Sequence, residues 1–266
     1  MAFTAAGDIT VHYHLAGPPG APVVLLANSI GTSLHIWDRP AAALAERFRV
    51  LRYDMRGHGL TDATPAPYSI DRLAGDALAL LDALEIGRAH VCGLSIGGMV
   101  AQRLAAGAPG RVASLVLCGT ASRIGPPALW DERIAAIRAG GLAAIADGVL
   151  ARWFTPAFRA GQPVRLSGYA NMLVRTPAEG YIGCAMAIRD ADLGADAGRI
   201  ACPTLVLAGD QDQATPPEWG RALADAIPGA RFALLPGAAH IPPVEQPDAL
   251  AALLLDFFGK DAGHGR

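Results

Sequence analysis

The sequence predicts an α/β fold, a mostly parallel sheet flanked by helices with one helical insertion, and three observations carry that prediction. Short apolar runs bounded by turn residues recur along the chain. Longer segments with apolar residues at helical spacing separate most of them. The alternation lapses once, between about residues 123 and 199, where helical fragments follow one another and no run reads as a strand. Alternating strands and helices put parallel strands in one sheet, so the lapse marks an insertion. The expected division is a core of residues 1–122 and 200–266 with a helical cap over 123–199.

Taken in order, the runs at 22–27, 49–54, 89–93, 112–118, 203–208 and 231–235 read as buried parallel strands. Helical spacing covers 70–84, 95–106, 218–226 and 247–258. Gly17-Pro18-Pro19-Gly20 turns the chain between two early strands, and residues 261–266 read as a frayed tail. His12 and His14 share one strand face, but no acid or third histidine joins them at a ligand spacing, so no metal is expected.

Composition narrows the function classes. The 266 residues are 52% hydrophobic and 17% charged, below the usual charged share of about 25%, as in an alanine-rich globular fold. A net charge of −2 without a basic run lacks the electrostatic footprint of a nucleic-acid binder. No basic start leads into an apolar leader, and no apolar stretch reaches the roughly 18 residues of a membrane span, so a cytoplasmic protein without a membrane partner is expected. Monomer and homo-oligomer are both compatible with this composition. Cys92, Cys118, Cys184 and Cys202 are scattered, as reduced core thiols are. The cap holds nine Arg against seven Asp and Glu, a balance of +2.

One stretch carries chemistry. Gly93-Leu94-Ser95-Ile96-Gly97 places a serine between glycines where an apolar run gives way to helical spacing, the G-x-S-x-G pattern of a nucleophile elbow. A serine hydroxyl needs an imidazole to take its proton and a carboxylate to hold that imidazole's tautomer. Both follow in the order Ser, Asp, His: Asp212 in the loop after the run at 203–208, and His240 in the loop after the last run. Asp210, nearer its strand end, competes with Asp212 and is expected to brace the loop. An acyl-transfer oxyanion needs two backbone donors, one from the residue after the nucleophile and one from the loop after the third strand. Those are Ile96 and, in Asn28-Ser29-Ile30-Gly31, Ile30.

With these residues in place, the chain resembles the α/β-hydrolases over essentially its full length. The turn Asp54-Met55-Arg56-Gly57-His58-Gly59 is similar to their D-x-R-G-x-G bend, a scaffold feature. Asn28-Ser29-Ile30-Gly31, Arg152-Trp153-Phe154-Thr155-Pro156, Arg189-Asp190-Ala191-Asp192-Leu193 and Glu245-Gln246-Pro247 resemble the 3-oxoadipate enol-lactonases. The resemblance implies an eight-stranded, mostly parallel sheet and hydrolysis of a small enol-lactone that bears a free carboxylate, without a cofactor. It also implies a cap cation for that carboxylate, with Arg189 the first choice and Arg123 the second, and Trp153 as an apolar wall. One segment departs from the pattern: Ile241-Pro242-Pro243 follows the histidine where the family tends to carry a serine and an asparagine.

Two further enzymes would use the same triad, a general carboxylesterase and a cofactor-free perhydrolase. A non-catalytic ligand-binding receptor on this fold is the reading from another class. Aspartate in place of Ser95 would have indicated a dehalogenase or an epoxide hydrolase.

Overall fold

The structure is a computed structural model that describes residues 2–261. Eight strands form one sheet: β1 (Ala2–Ala6), β2 (Ile9–Ala16), β3 (Val23–Ala27), β4 (Arg49–Tyr53), β5 (Ala89–Leu94), β6 (Val112–Cys118), β7 (Thr204–Gly209) and β8 (Arg231–Leu235). They lie in the order β1-β2-β4-β3-β5-β6-β7-β8. β2 runs antiparallel to β1 and β4, and every other neighbour is parallel. The six apolar runs are all strands, and burial explains their composition. β5 and β7 are buried at every position, as strands covered by helices on both faces must be. The edge strand β1 alternates instead between half-buried and exposed positions along most of its length.

Sequence order reverses at the middle of the sheet, where β3 is followed by β4 on one side and β5 pairs on its other side. Open α/β sheets bind ligands at such a switch point, outside the carboxyl ends of the strands. Here the loop carrying Ile30 leaves β3 and Ser95 leaves β5. The helix after β5, Ile96–Gly107, packs against helix Ile70–Ala83 and against β5 and β6. Helix Asp38–Leu44 packs against the final helix, Pro247–Asp261. That final helix takes in Asp261, the first residue of the expected tail, and the rest of the tail lies outside the described residues.

Between β6 and β7 the described elements are helices alone, among them Pro127–Gly140, Ala146–Trp153, Pro163–Val174 and Ala178–Asp190. The last of these docks on the core where Gly57 meets Gly180, so closely that a Cβ on either would overlap the other's backbone. The bend that supplies Gly57 is spent on scaffold. Asp54 accepts from the Leu34 amide at 2.7 Å and pairs with His12 at 2.7 Å, and Arg56 is buried against Asp76 at 2.6 Å. His58 Nε2 accepts from the Gly31 amide at 2.8 Å, and burial holds its imidazole below the usual histidine range, hence neutral. Cys92, Cys118 and Cys184 are buried and Cys202 is half-buried, and no disulfide joins them. Among the described residues no helix is long and apolar enough to cross a membrane.

Candidate active site

Ser95 caps the N-terminus of helix Ile96–Gly107 with φ 59° and ψ −120°. An L-residue rarely adopts positive φ, and holding one there costs of order 1–3 kcal/mol, a strain that clusters at functional sites. The flanking glycines permit it. A Cβ on Gly93 would overlap the Gly97 carbonyl, and one on Gly97 would lie 2.5 Å from the Ala27 carbonyl oxygen. The serine therefore stands outside the helix that the spacing at 95–106 suggested, because the turn before it is too tight for helical φ and ψ. Its backbone is fixed by the Ser95 amide donating to the Cys118 carbonyl at 2.9 Å and by the Thr120 hydroxyl donating to the Ser95 carbonyl at 2.8 Å.

The loops after β7 and β8 bring the acid and the histidine together. His240 Nδ1 lies 2.9 Å from Asp212 Oδ2, and both side chains are buried. Asp212 also accepts from the Thr215 hydroxyl at 2.8 Å and, on its other oxygen, from the amides of Ala214 and Thr215 at 2.8 and 2.9 Å. Burial pushes this carboxyl up, but the neighbouring His240 and these hydrogen bonds outweigh it and hold the group below the usual carboxylate range. An ionised Asp212 accepts the Nδ1 proton, which leaves Nε2 of His240 as an acceptor. Asp210 instead accepts from the amides of Gly237 and Ala238 at 2.9 and 3.3 Å, tying the two loops together.

Ser95, His240 and Ile30 line one cavity of about 280 Å³ beneath the helices between β6 and β7. The amides beside Ile30 and Ile96 are engaged, Gly31 with His58 and Gly97 with the Asn28 carbonyl at 3.1 Å. Those of Ile30 and Ile96 have no protein acceptor among the described residues. Ile96 follows the serine in the chain and Ile30 lines the same cavity as Ser95, which makes these two amides the candidate oxyanion donors.

Trp153 lines the cavity and is 3% exposed. Its carbonyl accepts from the amides of His240 and Ile241 at 3.1 and 3.2 Å, so this wall and the histidine loop are one piece. Glu245 adds a half-buried clasp, accepting from the Ala239 amide at 2.7 Å and from the Thr155 amide and hydroxyl at 2.9 and 2.8 Å. The prolines after His240 begin the short helix Pro242–Glu245, where the first turn has no use for an amide donor.

The structure corrects the expected cations. Arg189 donates to Asp131 at 2.8 Å and to Asp190 at 2.7 and 2.9 Å, and Arg123 is an exposed residue 3.6 Å from Asp192. Neither lines the cavity, because acidic neighbours on the cap surface hold both. Arg133 and Arg152 line it instead, and neither has a carboxylate partner among the described residues. Burial and the nearby Arg133 charge lower the Arg152 pKa, yet a guanidinium stays charged at neutral pH. Arg133 lies 4.6 Å over the Trp130 ring, one helical turn before it. The signals were in the sequence: Arg152 adjoins Trp153, and Trp130 and Arg133 stand at i, i+3.

The chain is similar to known proteins in both sequence and fold. The family model described as "alpha/beta hydrolase fold" matches residues 22–140, and one described as "TAP-like protein" matches 178–258. The chain is 37% identical to "3-oxoadipate enol-lactonase 2" of Acinetobacter baylyi over 92% of its own length and 91% of that protein's. It is 32% identical to a "putative carbamate hydrolase RutD" of Variovorax paradoxus, over 96% and 98% of the two lengths. The crystal structure of an enol-lactonase from Burkholderia xenovorans superposes with a TM-score of 0.95 at 43% identity, covering 97% of this chain and 100% of that one.

Proposed function

The chain belongs to the α/β-hydrolase family, and we propose that within it the protein opens a small, carboxylate-bearing enol-lactone, the 3-oxoadipate enol-lactone class, through an acyl-enzyme on Ser95. The observation that carries the reading is a pair of guanidinium groups, Arg133 and Arg152, without carboxylate partners in the same cavity as Ser95 and His240. A compact cavity with surplus positive charge favours an anionic substrate.

In this mechanism His240 Nε2 takes the Ser95 proton as Oγ bonds to the lactone carbonyl carbon. The developing oxyanion accepts from the amides of Ile30 and Ile96. Collapse breaks the ring C–O bond, His240 returns the proton to the departing enol oxygen, and the enol becomes the ketone. A water activated by His240 then displaces Ser95 from the acyl group, giving the free acid. Asp212 holds the imidazole tautomer throughout. No cofactor enters these steps.

Comparing kcat/KM for the enol-lactone of 3-oxoadipate with that for 4-nitrophenyl acetate tests the substrate class. A preference for the lactone of at least about a hundredfold, roughly 2.7 kcal/mol, is the expected result; equal values would assign a general carboxylesterase. The identity to a putative carbamate hydrolase supports a second reading, hydrolysis of a small carbamate, for which a small carbamate serves as the third substrate in the same assay.

A further inference from the structure

A second cavity, of about 450 Å³, lies on the other side of the loop that follows β3. It shares no lining residue with the candidate active site. That loop holds Gly31, where a Cβ would meet Leu173 at 2.7 Å and, at 3.0 and 3.4 Å, Tyr181 and Trp153, both of which line the first cavity. The second cavity opens between the ends of β2 and β4 and the C-terminal end of cap helix Pro163–Val174.

Its walls are largely apolar. Leu34 and Met172 form the inner surface, with the Met172 sulfur 3.4 Å from the Ser33 amide, and Leu60 is 53% exposed beside it. The polar groups are cationic or already paired. Asp54 is occupied by His12 and by the amides of Leu34 and Leu60. Asp38 is held by Arg52 and lies 3.2 Å from His35. His14 meets Arg52 at 3.1 Å, and burial, then the Arg52 charge, keeps its imidazole below the usual range, hence neutral. Arg52 Nε is buried without a partner. Arg175, on the rim just past the end of the cap helix, forms no ion pair among the described residues. The balance is an apolar chamber with one uncommitted guanidinium at its edge and no uncommitted carboxylate.

We propose that this cavity is a second binding site, for a compact apolar molecule that carries one carboxylate. The apolar body fills the space against Leu34, Leu60 and Met172, and Arg175 holds the anionic end. Every acid in the wall is already engaged, so an anion entering meets no unshielded negative charge, whereas a cation would find Arg175 and Arg52 against it. The proposal is independent of the chemistry at Ser95.

The chain has five methionines, and among the described residues only Met172 lines this cavity, so protein labelled with 13C at the methionine methyl groups reports on it by NMR. The probes are 3-phenylpropionate and its uncharged amide, titrated into the wild type and into Arg175→Gln. The expected result is a saturable shift of the Met172 methyl signal with the acid, and a midpoint weakened about tenfold or more both by the amide and by Arg175→Gln. Met99, buried in the helix after Ser95 and lining neither cavity, serves as the control signal that stays unmoved. An unmoved Met172 signal, or equal midpoints for acid and amide, would overturn the proposal.

Discussion

Glu245 and Thr155 sit 90 positions apart in the chain and share two hydrogen bonds, 2.9 Å from the Thr155 amide and 2.8 Å from its hydroxyl, to one carboxylate oxygen. The other oxygen takes the Ala239 amide, next to His240. Glutamine at this position sets a donor against a donor at one of its two ends, so Glu245→Gln is expected to lower stability by about 1–3 kcal/mol. Burial pushes the Glu245 carboxyl up, more than its three hydrogen bonds bring it down. The fold then binds more protons than the unfolded chain, and this carboxyl's contribution declines as the pH rises from the ordinary glutamate range through the raised folded value. Urea denaturation of both proteins at acid and neutral pH should therefore show a stability gap that narrows toward neutrality; a widening gap would contradict it.

Ser95→Ala is expected to abolish turnover, leaving at most the roughly 10³- to 10⁴-fold advantage over water that binding and an oxyanion hole sustain alone. Near wild-type rates would remove Ser95 from the mechanism.

Asp212→Asn should cost on the order of 10⁴-fold in kcat, and Asp210→Asn far less, because only Asp212 meets the imidazole. Asp212 is held below the usual carboxylate range, so its share of stability is present above that range and is lost as the pH falls through the depressed folded value. Parallel kcat measurements decide the pair, and the reverse ranking would reassign the acid.

Arg133→Met and Arg152→Met should each lower kcat/KM for the acidic lactone by about ten- to a hundredfold, the scale of a charged hydrogen bond of roughly 1.5–3 kcal/mol. A neutral nitrophenyl ester should be spared. Arg189→Met, which removes a surface ion pair, should change neither. If all three variants behave alike on both substrates, the cavity arginines do not read the carboxylate.

Gly93→Ala puts a methyl group into the Gly97 carbonyl and is expected to destabilise by at least about 1–3 kcal/mol. Gly107→Ala, at the far end of the same helix with open space around it, should be neutral or stabilising by about 0.4–1 kcal/mol. Thermal unfolding of the two variants compares them directly; similar losses would mean that the elbow is less tight than its geometry implies.

The inner sheet was legible because burial on both faces leaves continuous apolar runs, as in β6 on the expected residues 112–118; the edge strand β8 also falls on the expected 231–235, although most of its residues are exposed or half-buried. Ser95, Asp212 and His240 were legible because each follows a strand end, in the chain order that α/β-hydrolases use. The cap cations were not. An arginine reads the same in sequence whether its partner is Asp190 beside it, Asp131 on another helix, or nothing, and only packing of the cap separates Arg189 from Arg152. Glu245 was visible only as part of a resembling tripeptide, since its partners come from a segment 90 residues away.

The Trp153 carbonyl that holds the His240 and Ile241 amides also limits how the protein can admit its substrate. A rigid swing of helix Ala146–Trp153 away from the sheet would drag the base nitrogen out of line with Ser95, so access through that side and readiness for reaction exclude each other in time. Leu129 and Trp219 line the same cavity with no such bond to the histidine loop among the described residues, so that rim is free of the constraint that ties the Trp153 side to His240.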